Sequence, residues 1–206
     1  MNLFTWKRCQ ICRAEVFNQR PLCRACFDQL RDLQTTERIE RHDFVIFSLF
    51  SYADQVQELI HRMKFKEQRY LAGVFADFIV RFLQQNDLPV DAVSFVPMYR
   101  YKKWVRGYDQ AEDLATEVAN RLELPCIKIL ERTRHTKSLY KLDRRQRQQV
   151  MAGSMSVRDK KPPGYLMIID DILTTGSTID ACAHALSDSE IEDYFFLVLA
   201  QALQSS

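Results

Sequence analysis

The sequence predicts an α/β fold, a parallel sheet flanked by helices, with a small metal-binding module ahead of it. Three observations predict it. Apolar runs such as Asp91–Val96, Leu166–Ile169 and Tyr194–Ala200 are too short for helices and suit strands buried on both faces. Stretches between them carry apolar residues at helical spacing. Four cysteines stand as two Cys-x-x-Cys pairs near the start of the chain. The expected division is a module over 1–35 and an α/β domain over 36–206.

Composition bounds the rest. A chain of 206 residues, 47% hydrophobic, can bury a sizeable core in one domain with an appendage. With 29 bases against 27 acids the net charge is +2, so any basic surface has to come from local clustering. Met1–Arg8 has no apolar segment of secretory length, and no run approaches the roughly 20 apolar residues of a membrane span. The expected location is the cytoplasm. No internal repeat or low-complexity tract is present.

The first element is the cysteine module. Cys9-Gln-Ile-Cys12 and Cys23-Arg-Ala-Cys26 are separated by ten residues. Four thiolates turned toward one ion make a closed tetrahedral zinc site, structural rather than catalytic because no coordination position stays open. A segment with so little apolar content folds as it binds metal. A redox dithiol, a disulfide pair and an iron–sulfur centre are the competing readings. The first would be expected at a helix start in a thioredoxin-like context, which is absent.

Leu30–Asp43 is highly charged and reads as a short helix or a linker, and Phe44–Tyr52 as one strand or two. Val56, Leu59, Ile60 and Met63 follow at helical spacing, and His61-Arg-Met-Lys-Phe-Lys66 closes that helix with bases that suit its dipole. Leu71, Val74, Phe75, Phe78, Ile79, Phe82 and Leu83 form the buried stripe of a second helix. After the strand Asp91–Val96 and Pro97 comes a loop, Tyr99–Tyr108, with four bases, four aromatics and no acid. Its cations Arg100, Lys102, Lys103 and Arg106 are candidates for pyrophosphate or nucleic acid. Tyr99, Tyr101, Trp104 and Tyr108 can stack on bases, or pack beneath the loop. Asp109 and Glu112 form a cap and its partner for the next helix, whose buried face runs from Ala111 to Leu122.

Cys126–Leu130 reads as a further short strand, and Cys126 and Cys182 as core thiols. Arg132–Arg147 holds seven bases against Asp143 and is either a flap or a solvated loop. Pro162, Pro163 and Gly164 then break the chain before the decisive stretch.

That stretch is Leu166-Met-Ile-Ile-Asp-Asp-Ile-Leu-Thr-Thr-Gly-Ser-Thr178. A strand ends in the acids Asp170 and Asp171 where the sheet meets solvent. A small turn with one glycine, Thr174-Thr175-Gly176-Ser177-Thr178, then opens a helix. Backbone N–H groups, hydroxyls and the helix dipole attract a phosphate there. The acids would repel that phosphate and suit vicinal hydroxyls instead, so a ribose 5-phosphate fits the layout. The pattern is neither a P-loop nor a dinucleotide fingerprint, because Gly176 stands alone.

These thirteen residues resemble, without a gap, the signature of type I phosphoribosyltransferases. In that family the acids hold the ribose hydroxyls of phosphoribosyl pyrophosphate (PRPP) and the turn its 5-phosphate. Taken with the four cysteines, Glu58-Leu-Ile-His-Arg-Met-Lys-Phe65, Val96-Pro97 and Arg106-Gly-Tyr-Asp-Gln-Ala111, the order along the chain resembles the ComF (ComFC, GntX-like) competence-protein family. Asp109 departs from the asparagine expected in the fourth of these segments. The resemblance implies a type I phosphoribosyltransferase fold, magnesium bound with PRPP, and a role in DNA uptake for natural transformation. It also implies a membrane-associated DNA translocase of the ComFA type as a partner. Two functions stay open at this point: a phosphoribosyltransferase of unknown acceptor, and a single-stranded-DNA-binding accessory with a vestigial or regulatory PRPP site.

Overall fold

Five strands build one sheet in the order β1-β2-β7-β6-β3, in a computed structural model that describes residues 8–16, 21–41, 43–52, 54–65, 68–133, 153–158, 162, 164–191 and 193–202. In chain order the elements are α1 (Arg24–Asp32), β1 (Gln34–Glu40), β2 (Val45–Ser51), α2 (Asp54–Met63) and α3 (Leu71–Gln85). Next come β3 (Ala92–Phe95), α4 (Arg100–Arg106), α5 (Gln110–Leu122), β4 (Leu130–Arg132) and β5 (Met155–Val157). The chain continues through β6 (Leu166–Leu173), α6 (Ser177–Ser187) and β7 (Tyr194–Gln201). Strands β2, β7, β6 and β3 are parallel; β1 is added antiparallel at the edge. β4 and β5 form a separate two-stranded ribbon.

The central strands are apolar on both faces because both faces are covered. Met167 and Ile169 of β6 point into a core built with α2, α3 and α5, whereas Leu166 and Ile168 point into a second core with α6 and the ribbon. The aromatic residues Phe50, Phe75 and Phe78 are fully buried in the first core, each contributing on the order of 1.5–3 kcal/mol. The cysteine module shares that core: Phe27 of α1 stacks on Phe78 at 4.7 Å between ring centroids, and Leu30 is fully buried. Arg62 donates to the Gln10 carbonyl at 2.9 Å, tying the first knuckle to α2.

Four local expectations are corrected. The charged stretch after Leu30 is neither a linker nor a single helix. α1 ends at Asp32, and Gln34–Glu40 then pairs with β2, where a polar strand is tolerated because it forms the exposed edge. The basic segment after Tyr99 is helical over Arg100–Arg106 and is stopped by Gly107, which takes the left-handed φ of 82° that glycine adopts without strain. Cys126 makes only an isolated bridge to Val93, the strand begins at Leu130, and the Cys126 thiol is exposed rather than in the core. Strand β6 does not stop at the acids but continues to Leu173, since β7 keeps pairing with it after β3 has ended. Cys182 is fully buried, as a core thiol should be.

Candidate ribose-phosphate and metal sites

The register of the two inner strands builds the first site. Phe95 of β3 lies opposite Ile169 of β6, and the Val96 amide donates to the Ile169 carbonyl at 2.9 Å. Past that point β3 ends, while β6 runs on through Asp170 and Asp171 without a β3 partner beside them. The loops after β3 and β6 therefore leave the sheet at the same carboxyl edge, the place where open α/β sheets bind ligands.

The two acids meet different neighbours while their carboxyls stay close to each other. Asp171 follows Ile169 toward α5, where its Oδ2 accepts from Gln110 Nε2 at 2.7 Å and lies 3.8 Å from Lys64 Nζ. Its Oδ1 accepts the Ile172 amide at 2.8 Å. Asp170 follows Ile168 toward α6 and accepts the Asp171 amide at 2.9 Å. Burial among dense surroundings, and then the neighbouring Asp171 carboxyl, push Asp170 well above the ordinary carboxylate range; the Asp171 amide opposes this. A carboxyl so enclosed, with a second acid beside it, does not ionise freely, and it can meet a ligand hydroxyl as donor or acceptor.

Beyond Leu173 the turn Thr174–Gly176 is short. Thr174 and Thr175 are exposed, Gly176 is buried with φ 79°, and Thr175 Oγ1 lies 3.0 Å from Ser177 Oγ. The glycine caps α6, so the helix begins at Ser177, and its first amides have no partner within the helix. These donors and the positive end of the helix dipole form an anion-attracting cradle next to the acids.

The other wall is α4 and the start of α5. Asp109 is buried, with Oδ2 accepting the Met98 amide at 2.8 Å and Oδ1 the Ala111 amide at 3.1 Å. Burial raises its pKa while those two amides pull against the rise. Lys103 is ion-paired with Glu112, and Arg106 donates to Gln110, whereas Arg100 and Lys102 are exposed. Tyr101 and Trp104 lie side by side at 6.1 Å, 61% and 78% exposed. Tyr108 is buried, with the Arg69 guanidinium over its ring at 5.0 Å and its hydroxyl donating to the Met63 carbonyl at 3.3 Å. It packs under the helix and offers no stacking face.

The four cysteines form the second site. Their Sγ atoms all lie within 4.8 Å of one another, and Cys12 and Cys23 are 3.6 Å apart. Thiolates about 2.3 Å from a tetrahedral zinc are spaced comparably, so the cluster fits a metal ion such as zinc. Burial opposes ionisation of Cys9, but the amides of Cys23, Cys12 and Ile11 outweigh it and lower its pKa to about 6. Cys26 is driven upward by burial and by the other three sulfurs, a repulsion that a cation would relieve.

Competence protein F of Haemophilus influenzae is 29% identical to this chain over 161 residues, covering 73% of the chain and 70% of the relative. DNA utilization protein YhgH of Escherichia coli strain K12 is 24% identical over 196 residues, covering 88% and 84%. The resemblance to the ComF family holds. No family model matches the chain. Among solved structures, adenine phosphoribosyltransferase from Leishmania donovani aligns with TM-score 0.46 and 13% identity over 80% of this chain and 86% of that one. Orotate phosphoribosyltransferase from Aeropyrum pernix aligns at 0.42 and 16%, over 86% and 80%. Both are likenesses of fold.

In this ComF-like chain the acids and the turn named from sequence lie at one sheet edge, and of the cations in the expected basic loop Arg106 is joined to them through Gln110. Lys64 and Gln110 complete that edge, although neither had been assigned to it. Both stand inside segments that carry the family resemblance, yet nothing in their residue types pointed to Asp171. The basic stretch from 134 to 147 lies outside the described residues. Among the described residues no helix is long and apolar enough to cross a membrane.

Proposed function

We propose that this chain is a ComF-type protein that binds PRPP at the edge of its sheet and serves DNA uptake. The register of β3 and β6 supports the proposal, because β6 carries Asp170 and Asp171 past the end of β3 to the start of a hydroxyl-lined turn. Thr174, Thr175, Gly176, Ser177 and Thr178 hold the 5-phosphate, and the two acids accept the ribose 2- and 3-hydroxyls. Magnesium, when bound, neutralises pyrophosphate oxygens and keeps several waters. Arg100, Lys102 and Arg106 on α4 are the cations offered for the pyrophosphate, with Lys103 already paired to Glu112 and Lys64 standing 3.8 Å from Asp171. Transfer to a nitrogen nucleophile is the chemistry that such positioning favours.

The module over 1–35 is proposed as a zinc-folded cap on the domain over 36–206. The names of the relatives, a competence protein and a DNA utilization protein, support the DNA role. A ComFA-type translocase is the proposed partner, recruiting a cytoplasmic chain to the membrane.

Calorimetry with PRPP and magnesium tests the site. Wild type should bind, and the double variant Asp170→Asn/Asp171→Asn should lose affinity by more than about 100-fold, two charge-assisted hydrogen bonds at about 1.5–3 kcal/mol each. Equal affinity would defeat the assignment.

A second reading is favoured by one observation, the exposure of Trp104 and Tyr101 beside Arg100 and Lys102. Aromatic faces between cations suit single-stranded DNA. Trp104→Ala should weaken binding of an oligothymidylate by about 1–3 kcal/mol without changing the melting temperature, and wild-type affinity should fall steeply with salt. Salt-independent binding would end this reading.

A further inference from the structure

Gln110 sits between opposite charges. It is the first residue of α5, buried at 9% exposure, and its side chain meets Asp171 at one end and Arg106 at the other. Its Nε2 donates to Asp171 Oδ2 at 2.7 Å, while its Oε1 accepts from Arg106 Nη1. An amide reversed in place would aim its oxygen at a carboxylate and its NH2 at a guanidinium, so the chemistry of the neighbours fixes its orientation. A carboxylate here would satisfy Arg106 and repel Asp171, and a cation would do the reverse. Only a primary amide serves both.

Accordingly, we propose that Gln110 is a positioning residue for the acid pair. It clamps Asp171 from α5 and, through Arg106, ties that clamp to the basic helix α4. The inference rests on the ribose-phosphate site proposed above and adds the element that orients it. With Oδ1 engaged by the Ile172 amide and Oδ2 by Gln110, the Asp171 carboxylate cannot rotate, and each oxygen keeps one lone pair for a ligand hydroxyl. The same clamp makes the geometry of α4 felt at the acids, so a ligand that engages Arg106 alters the set of Asp171.

The groups facing the acid pair bear on any pH test. They are Asp109 and Gln110 at the start of α5, Lys64 after α2, Arg132 on β4 and Cys182 on α6, besides the two acids themselves. Of these only a carboxyl placed at position 110 would add a new titration.

The experiment is calorimetric titration of the full chain with PRPP and magnesium between pH 5.5 and 8.5, for wild type, Gln110→Leu and Gln110→Glu. Gln110→Leu should bind about 10-fold or more weakly at every pH, the loss of one hydrogen bond to a charged group. Gln110→Glu preserves size and can donate to Asp171 only while protonated. Its affinity should approach wild type at pH 5.5 and fall at least 10-fold by pH 8.5, a slope that a purely structural role for residue 110 would not produce. Should Gln110→Leu fail to fold, the slope of Gln110→Glu decides. Wild-type affinity and wild-type pH dependence in the variants would overturn the inference while leaving the site intact. Absence of PRPP binding by the wild type would instead overturn the site itself, and the inference with it.

Discussion

The chain gathers anionic ligands in two places and treats them differently. At the N-terminus four sulfurs converge with like neighbours on every side, and the module that carries them is sewn into the core through Phe27, Leu30 and the Arg62–Gln10 bond. At the sheet edge two neighbouring carboxyls are each held by few donors, with a turn of small residues beyond. A closed set of four donors leaves a cation nothing to exchange, so it acts as structure. A pair held by fewer partners than it has lone pairs keeps acceptors for a ligand. The number of fixed partners, rather than the kind of ligand atom, separates a staple from a binding site.

The comparison breaks most visibly at the sulfurs. Cys23→Ser, or removal of zinc by a chelator, should lower the melting temperature by about 10 °C or more. Structural zinc contributes on the order of 10 kcal/mol in small zinc peptides, and for a chain of this size even about 4 kcal/mol shifts the midpoint that far. Elemental analysis should find one zinc per wild-type chain and none in the variant. A folded, metal-free protein with an unchanged midpoint would erase the contrast between the two sites.

The acids should behave in the opposite sense. Asp170 is held above its ordinary pKa by burial and by Asp171, so between pH ~4 and its folded value the native chain keeps a proton that the unfolded chain has released. Stability is therefore greatest below the unfolded pKa and falls as pH rises through the folded one. Asp170→Asn should remove that fall and raise the melting temperature at pH 7, while weakening PRPP binding. Thermal scans at pH 4, 5.5 and 7 check it. A variant that is destabilised at pH 7 would mean the carboxylate is held by stabilising partners, as in a structural site.

Legibility from sequence followed the same division. The cysteine knuckles are readable because each pair is local and the thiols meet through short turns. The thirteen-residue strand, turn and helix were readable because β6, Gly176 and α6 are consecutive. Lys64 and Gln110 were not assigned, since their relation to Asp171 exists only after α2 and α5 dock beside β6. Helix α4 is not legible as a helix because Tyr99, Tyr101, Trp104 and Val105 are weak helix formers and the segment between Pro97 and Gly107 is short. β1 was missed for a similar reason: its strand state is decided by pairing with β2, which propensity does not see. Tyr108 resembles its exposed neighbours Tyr101 and Trp104 in sequence, and its burial, its bond to the Met63 carbonyl and the Arg69 contact set it apart.

The smallest effect concerns Asp109, which stands where the family pattern has asparagine. Its two oxygens each accept a backbone amide, from Met98 and Ala111, and burial raises its pKa. Asparagine keeps one acceptor but turns an NH2 toward the other amide, leaving a buried donor unmatched at a cost of about 1–3 kcal/mol. Removing a buried charge offsets part of that, and the offset grows with pH because only the aspartate ionises. Asp109→Asn should therefore lie within about 1 kcal/mol of wild type at pH 7, a few degrees in melting temperature, and should gain on it as pH rises from ~4 through the raised folded pKa of Asp109. PRPP affinity should change little, since both oxygens of Asp109 face backbone rather than ligand. A loss above about 3 kcal/mol at every pH would show the charge to be a structural anchor like the thiolates, and would move this acid to the other side of the comparison.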